Sequence, residues 1–84
     1  MSRVGRPEQT SRFSPFDEVE NTIRIERAVL RITQAELATR VQVSRQAINA
    51  VETGKYVPST ILAIKIARVF GKRVEDIFAI AAED

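Results

Sequence analysis

The sequence predicts an all-α fold, a compact bundle of five helices that follows an N-terminal extension. Three observations support this prediction. Apolar residues recur at helical spacing in five segments, Ser or Thr stands where three of these segments would begin, and Gly follows two of them. A chain of 84 residues has room for a single core. We therefore expect a flexible extension over residues 1–20 and one folded domain over residues 21–84.

The N-terminal extension contains Gly5, Pro7 and three arginines but little apolar periodicity, so we expect an irregular arm for most of its length. Towards its end, Ser14 and Pro15 are followed by acidic residues, which is typical of a helix start. The aromatic residues in this part of the extension, which would pack on the domain or on a partner, are Phe13 and Phe16.

The first helix of the domain is predicted between Thr22 and Arg31. Its apolar residues are Ile25, Ala28, Val29 and Leu30. We interpret Ile23 as a short extended lead-in to this helix. Ile32, which directly precedes a Thr, is expected to pack as an apolar staple on the helix that follows.

The central segment, Gln34–Thr53, has the pattern of two short helices joined by a tight turn. Thr33 and Glu36 have the spacing of a capping box for the first helix, and Ser44 can cap the second. The small side chain of Ala38 allows the two helices to cross closely. The residues expected on the inward side are Leu37, Ala38, Val41, Ala47, Ile48 and Val51. This pattern indicates a helix-turn-helix, whose second helix enters the major groove of DNA.

The outward face of the second helix is polar, but it lacks the Glu and Lys residues that are typical of a solvated helix face. It carries Arg45, Gln46 and Asn49 instead. Arg matches the hydrogen-bonding edge of guanine, and Gln or Asn matches that of adenine. These residues therefore favour base recognition, and the alternative is an ordinary solvated surface without a specific role.

The net charge of +2 is unevenly distributed. Residues 21–56 carry six basic against three acidic side chains, whereas residues 1–20 carry three against four and residues 57–84 four against four. The positive excess thus coincides with the predicted helix-turn-helix, which favours a nucleic-acid partner.

Several function classes are disfavoured by composition. The sequence has no Cys and no His, which excludes zinc fingers, disulfides and a His general base. No nucleophile–base pair is recognisable, so we expect no enzyme, no catalytic residue, no metal and no cofactor. Lys65 and Arg68 interrupt the most apolar stretch, so no run approaches the roughly 20 residues of a membrane span. We expect a cytoplasmic protein with no membrane partner.

The C-terminal half continues the helical pattern. Gly54 can end the second motif helix, Ser59 caps a strongly apolar core helix from Thr60 to Phe70, and Gly71 ends it. The residues of a final short helix are Val74, Ile77 and Phe78, and Ile80 begins an apolar tail. The apolar residues that we expect to form a homodimer interface are Ile61, Ile64, Ile77 and Ile80. The alternative is that the N-terminal segment covers them.

Residues 22–80 resemble the XRE, or Cro/CI-type, helix-turn-helix regulators, which are related in fold to the lambdoid phage repressors. The matching segments are Ile23-Arg24-Ile25-Glu26-Arg27-Ala28, Thr33-Gln34-Ala35-Glu36-Leu37-Ala38, Val43-Ser44-Arg45-Gln46-Ala47-Ile48-Asn49, Glu52-Thr53-Gly54-Lys55-Tyr56, Pro58-Ser59, Lys65-Ile66-Ala67 and Glu75-Asp76-Ile77-Phe78. One departure is Gln42, which occupies a turn position where the family often has Gly. A non-Gly residue in a left-handed conformation there costs on the order of 1 kcal/mol.

The resemblance implies a lambda-repressor-like bundle that binds a double-stranded DNA operator, usually as a homodimer, with the helix Ser44–Thr53 in the major groove. By position, the residues that would face bases or adjacent phosphates are Ser44, Arg45, Gln46 and Asn49, and we expect them to read bases. The resemblance further implies that Gln34 binds a phosphate and that the loop at residues 53–55 presents backbone donors and one positive charge. Together with Arg40, a surface cation that we add to this set, the expected phosphate-binding residues are Gln34, Arg40, Thr53 and Lys55.

Two functions remain at this point. The first is a transcriptional regulator, expected to be a repressor that acts by occupying its operator. The second is an antitoxin-like module that binds a partner protein through the segment around Phe13 and Phe16 and regulates its own synthesis through the same DNA-binding domain.

Overall fold

A computed structural model describes residues 19–80, which form five helices and one two-stranded antiparallel sheet. In chain order the elements are β1 (Val19–Asn21), α1 (Ile23–Leu30), α2 (Gln34–Val41), α3 (Arg45–Glu52), α4 (Thr60–Phe70), α5 (Val74–Ile77) and β2 (Phe78–Ile80). The predicted all-α bundle of five helices is confirmed, and the small sheet is an addition to it. The predictions for the arm and for Phe13 and Phe16 fall outside the described residues.

The sheet joins the two ends of the domain. Val19 on β1 lies opposite Ile80 on β2, and Asn21 lies opposite Phe78. Next to the sheet, the backbone N–H of Thr22 donates to the carbonyl of Ile77 at 3.0 Å. The expected extended lead-in at Ile23 and the expected tail at Ile80 are therefore corrected. The extended residues are 19–21 and 78–80, because each strand satisfies the backbone groups of the other.

Helix α1 is confirmed, but its apolar residues do not face the core as their pattern suggested. Ile23, the expected lead-in, is the first helical residue and is fully buried. Ile25 and Val29 are 63% and 70% exposed, and Leu30 is also exposed. The inward side of α1 is shared with Glu26 and Arg27, whose side chains are largely buried in ion pairs. Polar contacts thus displace the apolar residues of α1 to the surface.

The core lies between α2, α3 and α4. Its buried side chains are Ile23, Ile32, Leu37, Ala38, Val41, Ile48, Val51, Leu62, Ile66, Ala67 and Ile77. Burying each of the larger ones stabilises the fold by about 1.5–3 kcal/mol relative to an exposed side chain. All inward positions predicted for the central segment are buried or half-buried, so the helix-turn-helix rests on the main core of the domain.

Helix α4 begins and ends as predicted. The Ser59 hydroxyl accepts a hydrogen bond from the Leu62 N–H at 3.1 Å, and Gly71 adopts a left-handed conformation with φ of 66°. Ile61 on the outer side of α4 is 69% exposed, and Ile64 and Ile80 are also exposed. Ile77 is only 2% exposed. Its expected place on an interface surface is therefore wrong, because its side chain fills the core.

Within residues 19–80, none of the helices has the length and apolar character needed to cross a membrane.

Candidate nucleic-acid interface

Helices α2 and α3 form the predicted helix-turn-helix unit. At the start of α2, the Thr33 hydroxyl accepts from the Glu36 N–H at 3.0 Å, and the Glu36 carboxylate accepts from the Thr33 N–H at 2.7 Å. This is the predicted capping box. Leu37, Ala38 and Val41 of α2 belong to one buried cluster with residues of α3, which fixes how far α3 projects from the domain.

The turn between the helices contains the predicted left-handed residue. Gln42 has φ of 65°, and the Val43 N–H donates to the carbonyl of Ala38 at 3.0 Å to close the end of α2. The Lys65 ammonium group donates to the Gln42 side-chain oxygen at 3.0 Å. This exposed contact joins the turn to α4.

The N-terminal end of α3 presents polar groups that are not engaged elsewhere. The Ser44 hydroxyl oxygen accepts from the Ala47 N–H at 3.0 Å, which caps the helix and leaves the hydroxyl hydrogen available to an outside acceptor. Arg45 and Gln46 are exposed and make no side-chain hydrogen bond to any residue between 19 and 80. These three side chains are therefore available to a ligand that approaches α3.

The other end of α3 is held by an ion pair with α1. The Arg27 guanidinium donates to both carboxylate oxygens of Glu52, at 2.5 and 3.1 Å, and to the carbonyl of Ile32 at 3.1 Å. The two side chains are only 16% and 6% exposed. The hydrogen bond to Glu52 raises the pKa of Arg27, while burial acts in the opposite direction. The carboxylate therefore has a fixed position between α1 and α3.

Gln34 connects this ion pair to the surface of α3. Its side-chain nitrogen donates to the Glu52 carboxylate at 3.1 Å and to the Asn49 side-chain oxygen at 3.2 Å. Both amide hydrogens of Gln34 are thus occupied. A phosphate contact by Gln34 would have to use its backbone N–H, which lies in the first turn of α2 where a helix favours an anion.

The loop after α3 differs from the expectation that it would present backbone donors. The N–H groups of Thr53, Gly54 and Lys55 donate to the carbonyls of Asn49, Val51 and Ala50, respectively. The Thr53 hydroxyl donates to the carbonyl of Asn49 at 2.8 Å. These donors are used because they close the C-terminus of α3, where carbonyl groups lack helical partners. The predicted phosphate contact by Thr53 therefore lacks a donor in this geometry.

The cationic side chains expected at the phosphates remain accessible. Arg40 near the end of α2 and Lys55 after α3 are both exposed. Neither side chain has an ion-pair partner among residues 19–80. Between residues 19 and 80 the chain has ten basic against six acidic side chains. The positive excess allows this part of the chain to attract a polyanion such as DNA. Arg45 lies on the same helix as Gln46 and Asn49.

Two residues of the site were not identified from sequence. Arg27 and Glu52 support Gln34 and, through it, Asn49, although they are 25 residues apart in the chain. Neither residue carries a local signal of this role, because a single Arg or Glu on a short helix is usually solvated. Their pairing could therefore not be predicted from the sequence and is visible only in the three-dimensional structure.

Comparison with known proteins gives consistent results. Residues 23–77 match the helix-turn-helix family model. An uncharacterized HTH-type transcriptional regulator of Methanocaldococcus jannaschii is 50% identical over 60 residues, which cover 71% of this chain and 91% of that protein. The regulator YgzD of Bacillus subtilis, also uncharacterized, is 38% identical over 66 residues, which cover 79% of this chain and 100% of its own.

A similar fold is found in the crystal structure of a presumed DNA-binding protein from Bacteroides fragilis. The TM-score is 0.65 at 21% sequence identity, and the alignment covers 73% of this chain and 98% of that chain. At this identity the likeness concerns the fold alone.

Proposed function

The chain belongs to the helix-turn-helix family of DNA-binding transcriptional regulators, which are not enzymes, and from that premise we propose a more specific function. We propose that it binds an operator in double-stranded DNA as a homodimer, reads the sequence with α3 in the major groove, and represses transcription by occupying the site.

The observation that carries this proposal is the accessible polar face of α3. A helix with its side chains is about 10–12 Å across, and the major groove, which is about 12 Å wide, admits it. Arg45 and Gln46 stand at the N-terminal end of the helix, and their side chains form no hydrogen bond with residues 19–80. The Ser44 hydroxyl caps the helix through its oxygen, and its hydrogen remains available. At its C-terminal end α3 is held by the ion pair of Glu52 with Arg27. The free hydrogen-bonding groups at its N-terminal end are therefore held in place for a ligand.

Phosphate binding is assigned to groups on either side of α3. Arg40 and Lys55 supply positive charges, and the backbone N–H of Gln34 supplies a donor at the start of α2. These contacts would set the position and orientation of α3 on the duplex without reading its sequence. Repression by occupancy requires nothing beyond this DNA-binding unit.

The homodimer is supported by three exposed apolar residues, Ile61 and Ile64 on α4 and Ile80 on β2. An apolar groove with a volume of about 190 Å³ is lined by Val19, Val57, Pro58, Thr60, Ala63, Val74 and Phe78. Exposed apolar surface of this kind is typical of a protein interface. A second copy of the chain is the occupant that a two-fold symmetric operator would require.

Selection of bound sequences from a random pool of duplex DNA tests the proposed function with the full chain. We expect a near-palindromic site whose half-sites are about 34 Å, or one helical turn, apart. Binding that does not discriminate between sequences, or no binding at low salt, would refute it.

The dimer can be tested with Ile61→Asp, which places a charge at one of these exposed apolar residues of α4. We expect the variant to sediment as a monomer at micromolar concentration and to lose affinity for the two-half-site operator, since a charge at an apolar interface is costly. Ile25→Asp is the matched control, because Ile25 is similarly exposed but lies on α1. A wild-type protein that remains monomeric both in solution and on DNA would contradict the homodimer.

A further inference from the structure

The contacts around Asn49 determine which way its side-chain amide points. An amide has a donor end and an acceptor end that are nearly identical in shape, so its orientation depends on its partners. Here the orientation is set by a chain of four side chains that begins at Arg27 and ends at Asn49.

The first link of the chain fixes Gln34. Glu52 holds the buried Arg27 guanidinium on both of its oxygens, and an ionised carboxylate can only accept hydrogen bonds. The Gln34 group that faces Glu52 at 3.1 Å must therefore be its NH₂. Reversing this amide would place two acceptors against each other in a partly buried position, which is unfavourable.

The second link fixes Asn49. The remaining hydrogen of the Gln34 NH₂ points to the Asn49 side chain at 3.2 Å, so the Asn49 atom that receives it must be the oxygen. The NH₂ of Asn49 then lies at the exposed end of the amide, and its hydrogens bond no residue between 19 and 80. At its exposed end, the Asn49 amide therefore offers two donor hydrogens and no acceptor.

We infer that Asn49 recognises DNA as a hydrogen-bond donor only, and that it selects guanine rather than adenine at the base pair it contacts. This inference rests on the proposed function. Guanine presents two acceptors, N7 and O6, to the major groove, which match the two hydrogens of the Asn49 NH₂. Adenine presents one acceptor and one donor, and its N6 donor would meet a second donor. The pairing of Asn with adenine that its residue type predicts is thus reversed by Gln34.

The inference also gives Gln34 a role that its sequence position did not indicate. Gln34 acts as a positioning residue, because it sets the polarity of Asn49 without requiring its own contact to a base. Removing its amide would release Asn49 to rotate and to present both an oxygen and an NH₂ to the groove. Glu52 would remain paired with Arg27 in that case, so the loss would not leave an unpaired carboxylate.

The experiment uses binding-site selection with the full-length wild-type chain, Asn49→Ala and Gln34→Met. Met retains a long unbranched side chain and good helix propensity but has no amide. The base pair at which Asn49→Ala loses discrimination identifies the contact of Asn49. Competition binding with duplexes that differ only at this pair then measures the guanine-to-adenine ratio for each protein.

For the wild type we expect guanine to be preferred about tenfold over adenine at that pair. For Gln34→Met we expect the ratio to fall to about twofold or to favour adenine. In the double variant with Asn49→Ala, the Gln34 substitution should leave the ratio unchanged, because the effect is transmitted through Asn49. Gln46→Ala is the control: it removes an exposed amide outside this network and should change the preference at a different base pair only.

Three outcomes would overturn the inference while leaving sequence-specific DNA binding intact. They are a wild-type preference for adenine at the Asn49-dependent pair, an unchanged ratio in a folded Gln34→Met variant, and an equal loss of affinity for every sequence in Asn49→Ala. The wild-type preference is informative even if Gln34→Met fails to fold. A wild-type chain that selects no sequence at all would refute both the inference and the proposed function.

Discussion

At the N-terminal end of α3, Arg45 and Gln46 extend from the surface without a hydrogen-bond partner among residues 19–80, whereas further along the same helix Asn49 and Glu52 are held by side chains of α1 and α2. The two ends belong to one helix only eight residues long. Their difference lies in what the neighbouring helices provide and not in the composition of α3 itself.

This difference separates two ways of recognising a ligand. A partnerless side chain such as Arg45 can adapt to the base it meets, but it loses about 0.5–1.5 kcal/mol of rotamer entropy when it is immobilised. Asn49 is held by a hydrogen bond from Gln34, so in the proposed complex we expect it to bind with less entropic cost and with a fixed polarity. The anchored end is expected to be selective, and the N-terminal end to be adaptable.

The largest expected effect comes from Glu52→Ala, which breaks the ion pair between Arg27 and Glu52. The substitution removes the partner of a guanidinium that is only 16% exposed, together with the acceptor of Gln34, and we expect a loss of about 2–3 kcal/mol in the free energy of unfolding. For a domain of this size the melting temperature should fall by roughly 10–20 °C. Thermal and urea unfolding followed by circular dichroism would measure both quantities.

The control for this variant is Glu75→Ala, which removes a carboxylate that is 70% exposed. An exposed pair contributes little, so we expect a change below about 0.5 kcal/mol. Similar losses in the two variants would show that Glu52 does not anchor α3.

At the adaptable end, Arg45→Ala should leave stability unchanged and weaken specific binding by about 1–3 kcal/mol, with relaxed base choice at one position. The reason is that Arg45 has no role within the described part of the fold, so its removal acts only on the complex. Titration of labelled operator duplexes with single base changes would measure both effects. Arg24→Ala, an exposed Arg on α1, is the control for loss of charge. Equal losses on every sequence would exclude Arg45 from base reading.

The smallest expected effect is that of Lys55→Ala. Lys55 lies after the end of α3 and contacts phosphate, not a base, in the proposed complex. Affinity should decrease uniformly across sequences, and the slope of log K against log salt should become shallower by about 0.9. Titrations at two or more salt concentrations would measure the slope. Arg68→Ala on α4 provides the comparison, and an unchanged slope for Lys55→Ala would contradict a phosphate contact.

The parts of the fold that could be predicted from sequence are those encoded within a few residues. The capping box of Thr33, the caps at Ser44 and Ser59, and the glycine end of α4 are confirmed. Each depends on a side chain and a backbone group three to five residues apart, so their spacing is visible in the sequence. The left-handed conformation of Gln42 was expected from the family resemblance, because the family often has Gly at this turn position, and it is confirmed.

The predictions that failed depend on which distant segments meet. Apolar spacing identified α1 as a helix, yet it could not show that Ile25 and Val29 face outwards, because the inward side is occupied by Arg27 and Glu26. Ile77 was expected at the surface and lies in the core. Apolar spacing indicates the buried side only where apolar residues fill that side, and in α1 the ion pairs of Arg27 and Glu26 occupy it instead.

The sequence by itself determined the order of the helices, the capped ends of α2, α3 and α4 and the presence of a helix-turn-helix, because these follow from local backbone hydrogen bonding and apolar spacing. It missed the start of α1 at Ile23 and the strand position of Phe78. The tertiary structure decided which donors and acceptors remain available at the surface. The N–H groups of residues 53–55 are consumed by the end of α3, and the amide of Asn49 is turned by Gln34 and Glu52. A donor or acceptor is available to DNA only if no other group of the protein is paired with it. The pairs of Gln34 with Asn49 and Glu52 join distant parts of the chain, so they form only when the chain has folded.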